Sequence, residues 1–383
     1  MMGDARNESH RDKRKSLSRR IAMTLAATLK SSAAAVVRRC RLVPVAIVSC
    51  VLLATAVASA KAQAISSRPT LDAVKQRGNL RCGIPSDVPG FASKDANGVW
   101  RGFTVDVCRA FAAAIFDDPS KVTFTPLTVE NGFVPLLSRE IDVLARVNTW
   151  TLSREAALGI QFAFVSYYDG QGFMVRKSRG ANSARDLGGI KVCVQRESTS
   201  ELNLADYFSA SELKYEEVAL SNPREILAAY DEGRCDAVTS DISRLHSARL
   251  QLKSPDEHVI LPDVIAKEPL GPAVRNGDDQ WLTLVKWVYF AMVNAEELGV
   301  SQKTLSDELN SERTKTKRLL GSYAALGEAL GLSNDWVVRI IRHVGNYGEA
   351  YDRNLGAGSR LAIPRGLNRL WTDGGLQYAP PMR

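Results

Sequence analysis

Short apolar runs bounded by turn residues recur along this chain. They alternate with segments in which apolar residues return every three or four positions. Residues 79–84, 122–126 and 141–147 read as buried strands, and 71–77, 107–116 and 133–138 as helices. A Pro-, Gly- and Asp-rich loop falls at 85–98. After Tyr167-Tyr168-Asp169-Gly170-Gln171-Gly172, which has turn composition, a second series begins. Its strands are expected at 173–176, 190–195, 214–219 and 235–239, with helices at 202–208 and 223–232; 259–261 begins a return and 281–294 is a strongly apolar helix. Ser198-Thr199-Ser200-Glu201 resembles a capping box opening the helix after 190–195. Strands alternating with helices predict an α/β architecture with a largely parallel sheet, and two halves built on one plan of strand, polar tip and helix. In such sheets ligands sit at the carboxyl ends of the strands, which places interest on residues 149–154, Ser198 with Thr199, and Asp241.

The first of these tips is Asn148-Thr149-Trp150-Thr151-Leu152-Ser153-Arg154. Hydroxyls and unpaired backbone N–H groups at a strand-to-helix junction, followed by a guanidinium fork, suit a carboxylate ligand. An ordinary helix entry, with Thr or Ser as N-cap and Arg154 in solvent, accounts for the same residues.

The 383 residues hold two or three domains' worth of core, and the net charge of +8 invites a nucleic-acid reading. The distribution removes it. Of 50 Lys+Arg and 42 Asp+Glu, 12 and 3 fall in residues 1–64, leaving 38 basic and 39 acidic residues and a formal charge of −1. Hence no nucleic-acid footprint is expected. Residues 1–64 instead read as a signal peptide: a long basic region ending at Arg38-Arg39-Cys40-Arg41, an apolar run over 42–60, then two small-x-small patterns, with cleavage expected after Ala64. A retained membrane anchor is the alternative.

Cys40 and Cys50 leave with that leader. Cys82, Cys108, Cys193 and Cys235 remain, an even number that in an exported chain points to disulfides, with three connectivities open. No cysteine pair has C-x-x-C spacing and the four histidines are scattered, so neither a metal site nor a His-based catalytic site is expected, and no cofactor.

Longer strings carry a resemblance. Beyond the 148–154 stretch these are Tyr167-Tyr168-Asp169-Gly170-Gln171-Gly172-Phe173-Met174-Val175, Glu201-Leu202-Asn203-Leu204-Ala205-Asp206-Tyr207-Phe208, Lys267-Glu268-Pro269-Leu270-Gly271-Pro272-Ala273-Val274-Arg275, Gly345-Asn346-Tyr347-Gly348-Glu349, and Gly374-Gly375-Leu376-Gln377-Tyr378-Ala379-Pro380-Pro381. From about residue 70 to the end, the chain resembles the periplasmic polar-amino-acid-binding proteins of ABC importers, in particular their general L-amino-acid-binding branch.

The resemblance implies a type II periplasmic-binding-protein fold, two α/β lobes joined by two crossing segments and closing on an amino acid. Lobe 1 would comprise 65–171 and 269–383, the latter including a C-terminal helical extension, and lobe 2 would be 172–268. Position by position, Arg154 matches the Arg that grips the ligand α-carboxylate, Thr149 a hydroxyl that contacts carboxylate and amine, and Thr199 with Ser198 the lobe 2 helix start that donates to the carboxylate. Asp241 matches the acid that accepts the α-ammonium, Val147 offers its carbonyl, and Phe91 matches an aromatic beside the ligand. These roles make physical sense, since a buried zwitterion needs each charge paired. Glu197 and Arg139 stand where glycine is usual, Thr104 where an acid is usual, and Val88 where binders of cationic amino acids carry an aromatic.

The implied partners are free L-amino acids, taken with broad specificity because the assigned residues address only groups all amino acids share, and an inner-membrane ABC permease. The protein is expected to be a periplasmic monomer and not an enzyme, for no Walker A loop is present. Within lobes that close on each other, the bridges expected are Cys82–Cys108 and Cys193–Cys235, since cross-lobe pairs would hinder closure. Two rivals remain. A secreted dehydratase on the same fold would need a general acid or base, for which Glu197 and Glu130 are the candidates. A sensory ectodomain would need residues 1–64 retained.

Overall fold

The computed structural model describes residues 68–129 and 131–383. The leader, with its expected cleavage after Ala64, and Glu130 lie outside the described residues. The strands are β1 (Leu80–Pro85), β2 (Ser93–Lys94), β3 (Trp100–Arg101), β4 (Val122–Leu127), β5 (Val143–Thr149), β6 (Ile160–Phe162), β7 (Tyr167–Arg176), β8 (Ile190–Gln195), β9 (Tyr215–Leu220), β10 (Ala237–Asp241), β11 (His258–Ile260) and β12 (Ala266–Arg275). The α-helices are α1 (Pro69–Arg77), α2 (Phe103–Phe116), α3 (Val134–Leu137), α4 (Leu152–Ala157), α5 (Thr199–Ala210), α6 (Pro223–Asp231), α7 (Ile242–Arg249), α8 (Asp279–Glu297), α9 (Leu305–Glu308), α10 (Thr314–Leu319), α11 (Leu326–Leu330), α12 (Trp336–His343) and α13 (Tyr347–Asn354). Among the described residues, no helix is long and apolar enough to cross a membrane.

The main sheet contains the same arrangement twice. In one half β4, β1 and β5 pair in parallel, and β12 returns antiparallel beside β5 with β6 on β12. In the other β9, β8 and β10 pair in parallel, and β7 returns antiparallel beside β10 with β11 on β7. The parallel character expected from the sequence therefore holds for three strands per half. The returning strands β7 and β12, ten residues each, belong to both halves. Their leading portions pair with one another, Tyr167 opposite Leu270 and Gln171 opposite Ala266, before each runs on into its own half. That antiparallel ribbon is the pair of crossing segments of a type II fold.

The ribbon is where the sequence misleads. Residues 167–172 carry two glycines and an aspartate and read as a turn, yet they open a long strand. Glycine is needed for close approach on both strands: a Cβ on Gly170 of β7 would come within 2.3 Å of the Val264 side chain, and one on Gly271 of β12 within 2.0 Å of the Phe164 carbonyl oxygen.

Helix α2 is buried on nearly all sides, from Phe103 to Ile115. One face packs on β1 and β5, and another is covered by α12, whose Trp336, Val337, Val338, Ile340 and Ile341 are buried. The extension after residue 300 thus completes the layer over α2. Its last turns reach the ribbon as well: Asn368 Oδ1 accepts from the Tyr168 N–H at 2.7 Å and Asn368 Nδ2 donates to the Tyr168 carbonyl at 3.0 Å. Cys82 is bonded to Cys108 and Cys193 to Cys235, joining β1 to α2 in one half and β8 to the approach to β10, two residues before that strand, in the other, as expected.

Candidate functional site

The carboxyl end of β5 faces the start of α5 and the end of β10 across a small cavity of about 30 Å³. From the first half come Arg146, Val147, Asn148, Thr149 and Arg154; from the second, Ser198, Thr199, Ser200, Asp241 and Arg244. The three strand tips singled out in the sequence therefore meet. Strand pattern puts them there: Thr149 and Asp241 are the last residues of their strands, and Thr199 is the first of its helix.

Arg154 is held in the first turns of α4, where the Thr151 side chain caps its N–H at 3.3 Å. Its guanidinium Nη1 donates to the Thr149 carbonyl at 2.7 Å and lies over the Phe133 ring. Burial pulls this guanidinium below its ordinary pKa, while the carboxylates of Glu268 and Asp241 pull it back. Asp241 is buried, and Arg244 Nε sits 3.0 Å from its Oδ2 as an ion pair. Burial raises the Asp241 carboxyl above its ordinary range, opposed by Arg244, Arg146 and Arg154.

Ser198 is the N-cap of α5, accepting from the Glu201 N–H at 3.3 Å and donating to the Gln195 carbonyl at 2.6 Å. The expected reciprocal bond is displaced by one residue: the Glu201 carboxylate accepts from the Glu197 N–H at 2.7 Å, so only half of a capping box forms. Glu197 itself is exposed, with φ of 59°, and lines neither this cavity nor the larger one described below.

One expectation changes. Phe91 does not line the site. It is fully buried in the core, edge-on to Tyr167 at 5.5 Å, with its carbonyl accepting from Thr104 Oγ1 at 2.6 Å. The hydroxyls of Thr149 and Thr199, expected at the ligand, both line the cavity and both donate to Glu268 of β12; the Thr199 bond measures 3.3 Å. Asn203 completes the set, donating to Glu268 Oε1 at 2.8 Å and to Gln171 Oε1 at 2.9 Å. A hydroxyl whose proton is committed to Glu268 presents lone pairs to the cavity and acts there as an acceptor.

Sequence reasoning passed over several residues here. Arg146 and Arg244 line the cavity, and both also line a second, larger chamber of about 430 Å³ that runs on from it. Val88 and Asp87 line that chamber too, and Asp87 meets Arg224 of α6 across its mouth at 2.7 Å. Arg146 is a buried charge in a strand whose other residues are mostly apolar, which is a visible signal; it donates to the Leu127 carbonyl at 3.2 Å and to Asn148 Oδ1 at 2.5 Å. Arg244 follows Asp241 at helical i,i+3 spacing. Beneath the cavity, Glu268 lies opposite Asp169 in the ribbon. Asp169 Oδ2 accepts from Ser243 Oγ at 2.5 Å, and burial together with the Asp241 carboxylate pushes its pKa up to about 8. Among the described residues, no group of three or more His, Cys, Asp or Glu is placed to hold a metal ion.

Chemically, this is a cleft between two sheet halves with a guanidinium on one side and a carboxylate on the other, and a helix N-terminus facing in. The chain is similar to known proteins along most of its length. The chain is 53% identical over 83% of its length to the general L-amino acid-binding periplasmic protein AapJ of Rhizobium johnstonii, covering 94% of that protein. It is 47% identical over 83% of its length to the glutamate/glutamine/aspartate/asparagine-binding protein BztA of Rhodobacter capsulatus, again covering 94%. A solved ABC transporter periplasmic binding protein from Brucella ovis with glutathione bound superposes with a TM-score of 0.81 at 51% identity, over 82% of this chain and 99% of that one. Residues 80–304 match a family signature in their own right. With that match and these relatives, the chain belongs to the bacterial extracellular solute-binding proteins, family 3.

Proposed function

We propose that this protein binds free L-amino acids in the cleft with broad specificity, works as a monomer in the periplasm after removal of residues 1–64, and delivers its ligand to an inner-membrane ABC permease. The lobes would be 65–171 with 269–383, and 172–268, both divisions falling in or beside the β7–β12 ribbon. The observation that carries the reading is the placement of Arg154 and Asp241 on opposite sheet halves, facing one small cavity. An α-carboxylate would take the Arg154 fork and the Thr199 and Ser200 N–H groups at the start of α5. An α-ammonium would take Asp241 and the lone pairs of Thr149, whose proton Glu268 holds. The chamber of about 430 Å³ beyond supports breadth, because it has room for side chains of different size.

The reading is of a binder and not an enzyme. The dehydratase alternative asks for a general acid or base at the ligand, and Glu197 is exposed outside the cavity lining. A thermal-shift screen against all the common amino acids tests the proposal. A ligand at a hundred times its Kd stabilises the native state by about 2.7 kcal/mol. Absence of a shift with every amino acid would overturn it.

A further inference from the structure

Away from the cleft, a further cavity of about 530 Å³ lies between α8, the stretch 163–165, Trp150 after β5, Tyr168 of β7 and the tail 377–380. It shares no lining residue with the small cavity or with the chamber beyond that. Its size suits a small organic molecule. Half of its lining residues are aromatic. Phe164 and Tyr289, stacked at 4.0 Å, are buried, while Trp150, Trp287 and Phe290 are half-buried.

The rings are already held in place. Trp150 stacks on Phe162 at 5.5 Å and its Nε1 donates to Glu155 at 2.8 Å. The Tyr289 hydroxyl donates to Gln377 Oε1 at 2.7 Å, and Gln377 Nε2 donates to the Tyr347 hydroxyl at 3.2 Å. Trp287 stands edge-on to Phe290 at 5.8 Å. A wall so fixed loses little freedom when a ligand enters.

The charge on this wall is one-sided. The lining carries one cation, Lys286, and no carboxylate. Lys286 is half-buried, and among the described residues its ammonium has no hydrogen bond or ion pair, nor has the Trp287 indole N–H. The residues three and four positions away on α8 are Leu282, Thr283, Tyr289 and Phe290, so its own helix supplies no counter-charge. Two idle donors beside several ring faces are the complement of an anion carried on a flat ring. The carboxylate would take the ammonium and the indole N–H, and the ring would lie against the aromatic walls. A zwitterionic amino acid finds no acid here for its ammonium. A cation is drawn to ring faces but is repelled by Lys286.

We propose that this cavity is a small-molecule site separate from the cleft, which takes flat aromatic carboxylates through Lys286 and the surrounding rings. It does not depend on what the cleft binds.

Titration calorimetry on the purified protein tests it, with three probes at neutral pH: naphthoate, cyclohexanecarboxylate and naphthylmethylamine. Naphthoate should bind one-to-one and at least about tenfold more tightly than either of the others. Lys286→Gln should lower naphthoate affinity at least about tenfold, Lys286→Arg should keep most of it because the charge stays, and Lys286→Glu should turn the preference towards the amine. Absence of naphthoate binding, or equal binding of the three probes, overturns the inference. So does wild-type naphthoate affinity in Lys286→Gln, which would put the probe elsewhere, the Arg154 cleft included. A protein that sediments as a dimer and dissociates when naphthoate is added would assign this face to a second copy, and overturns it too. If Lys286→Glu loses its folded circular-dichroism signal, the probe ranking and the other two variants decide.

Discussion

Half-buried Arg154 and buried Asp241 face the same cavity from opposite sheet halves, and the proposed binding role rests on both. Truncating one partner of a buried charge pair costs about 2–5 kcal/mol of binding, mostly by leaving the other charge unmatched. Arg154→Ala should therefore lose at least about thirtyfold in amino-acid affinity by calorimetry while its circular dichroism stays native. Near wild-type affinity would refute the role. The residue scale also explains two departures from the family pattern. Arg139 and Glu197, standing where glycine is usual, have φ of 64° and 59°. Both accept the left-handed backbone that glycine adopts freely, at a cost of about 1–2 kcal/mol each, and both are exposed, so no packing is disturbed. What a sequence displays at this scale is identity and local spacing. The placement of Arg154 and Asp241 at strand tips, and the Ser198 cap of α5, were legible for that reason. Phe91 was misplaced because its aromatic character suits a core as well as a pocket.

The ribbon of β7 and β12 shows what the sequence conceals at the scale of elements. Its register brings Asp169 opposite Glu268, and no local pattern reports a contact across so much chain. Its glycines disguise it as a turn. The repeated plan of strand, tip and helix was legible because parallel strands buried on both faces keep apolar runs of the right length. The ribbon has a consequence for pH. Burial raises the folded pKa of Asp169 to about 8 from 3.8, and raises Asp241 and Glu268 as well. At Asp169 the folded state keeps a proton at pH values where the unfolded chain has released it. The contribution of Asp169 to stability is thus fully present below about pH 4, is lost progressively as pH rises, and has gone above about 8. The melting temperature should fall from pH 5 to pH 9, and Asp169→Asn should flatten that fall. A wild-type melting temperature that rises over the same range, or an unchanged slope in the variant, would contradict the account.

At the scale of the whole molecule, the half of the sheet built on β1, β4 and β5 depends on distant chain. Its helix α2 needs α12 as a cover, and Asp106 of α2 accepts from Arg353 Nη2 and, at 2.7 Å, from Asn354 Nδ2. Trp336, 1% exposed, is the largest side chain of that cover. Trp336→Ala should cost about 3–5 kcal/mol, read as a lower urea midpoint with little change in slope. A loss under about 1 kcal/mol would show the extension to be an ornament on a half that is stable without it.

The same dependence sets an order of events in time. Strands β7 to β11 and the helices among them lie in one continuous run of chain and can assemble as soon as that run is available. The other half cannot. It waits first for β12 and then for the helices after residue 300, so its early segments, α2 above all, must spend that interval of synthesis with apolar faces uncovered. A chain halted before residue 336 is accordingly a sticky object with one finished half and one open one. The segment carrying Asn368, made 200 residues after Tyr168, also fastens onto the ribbon, so the joint between the halves is completed after both of its strands have been made.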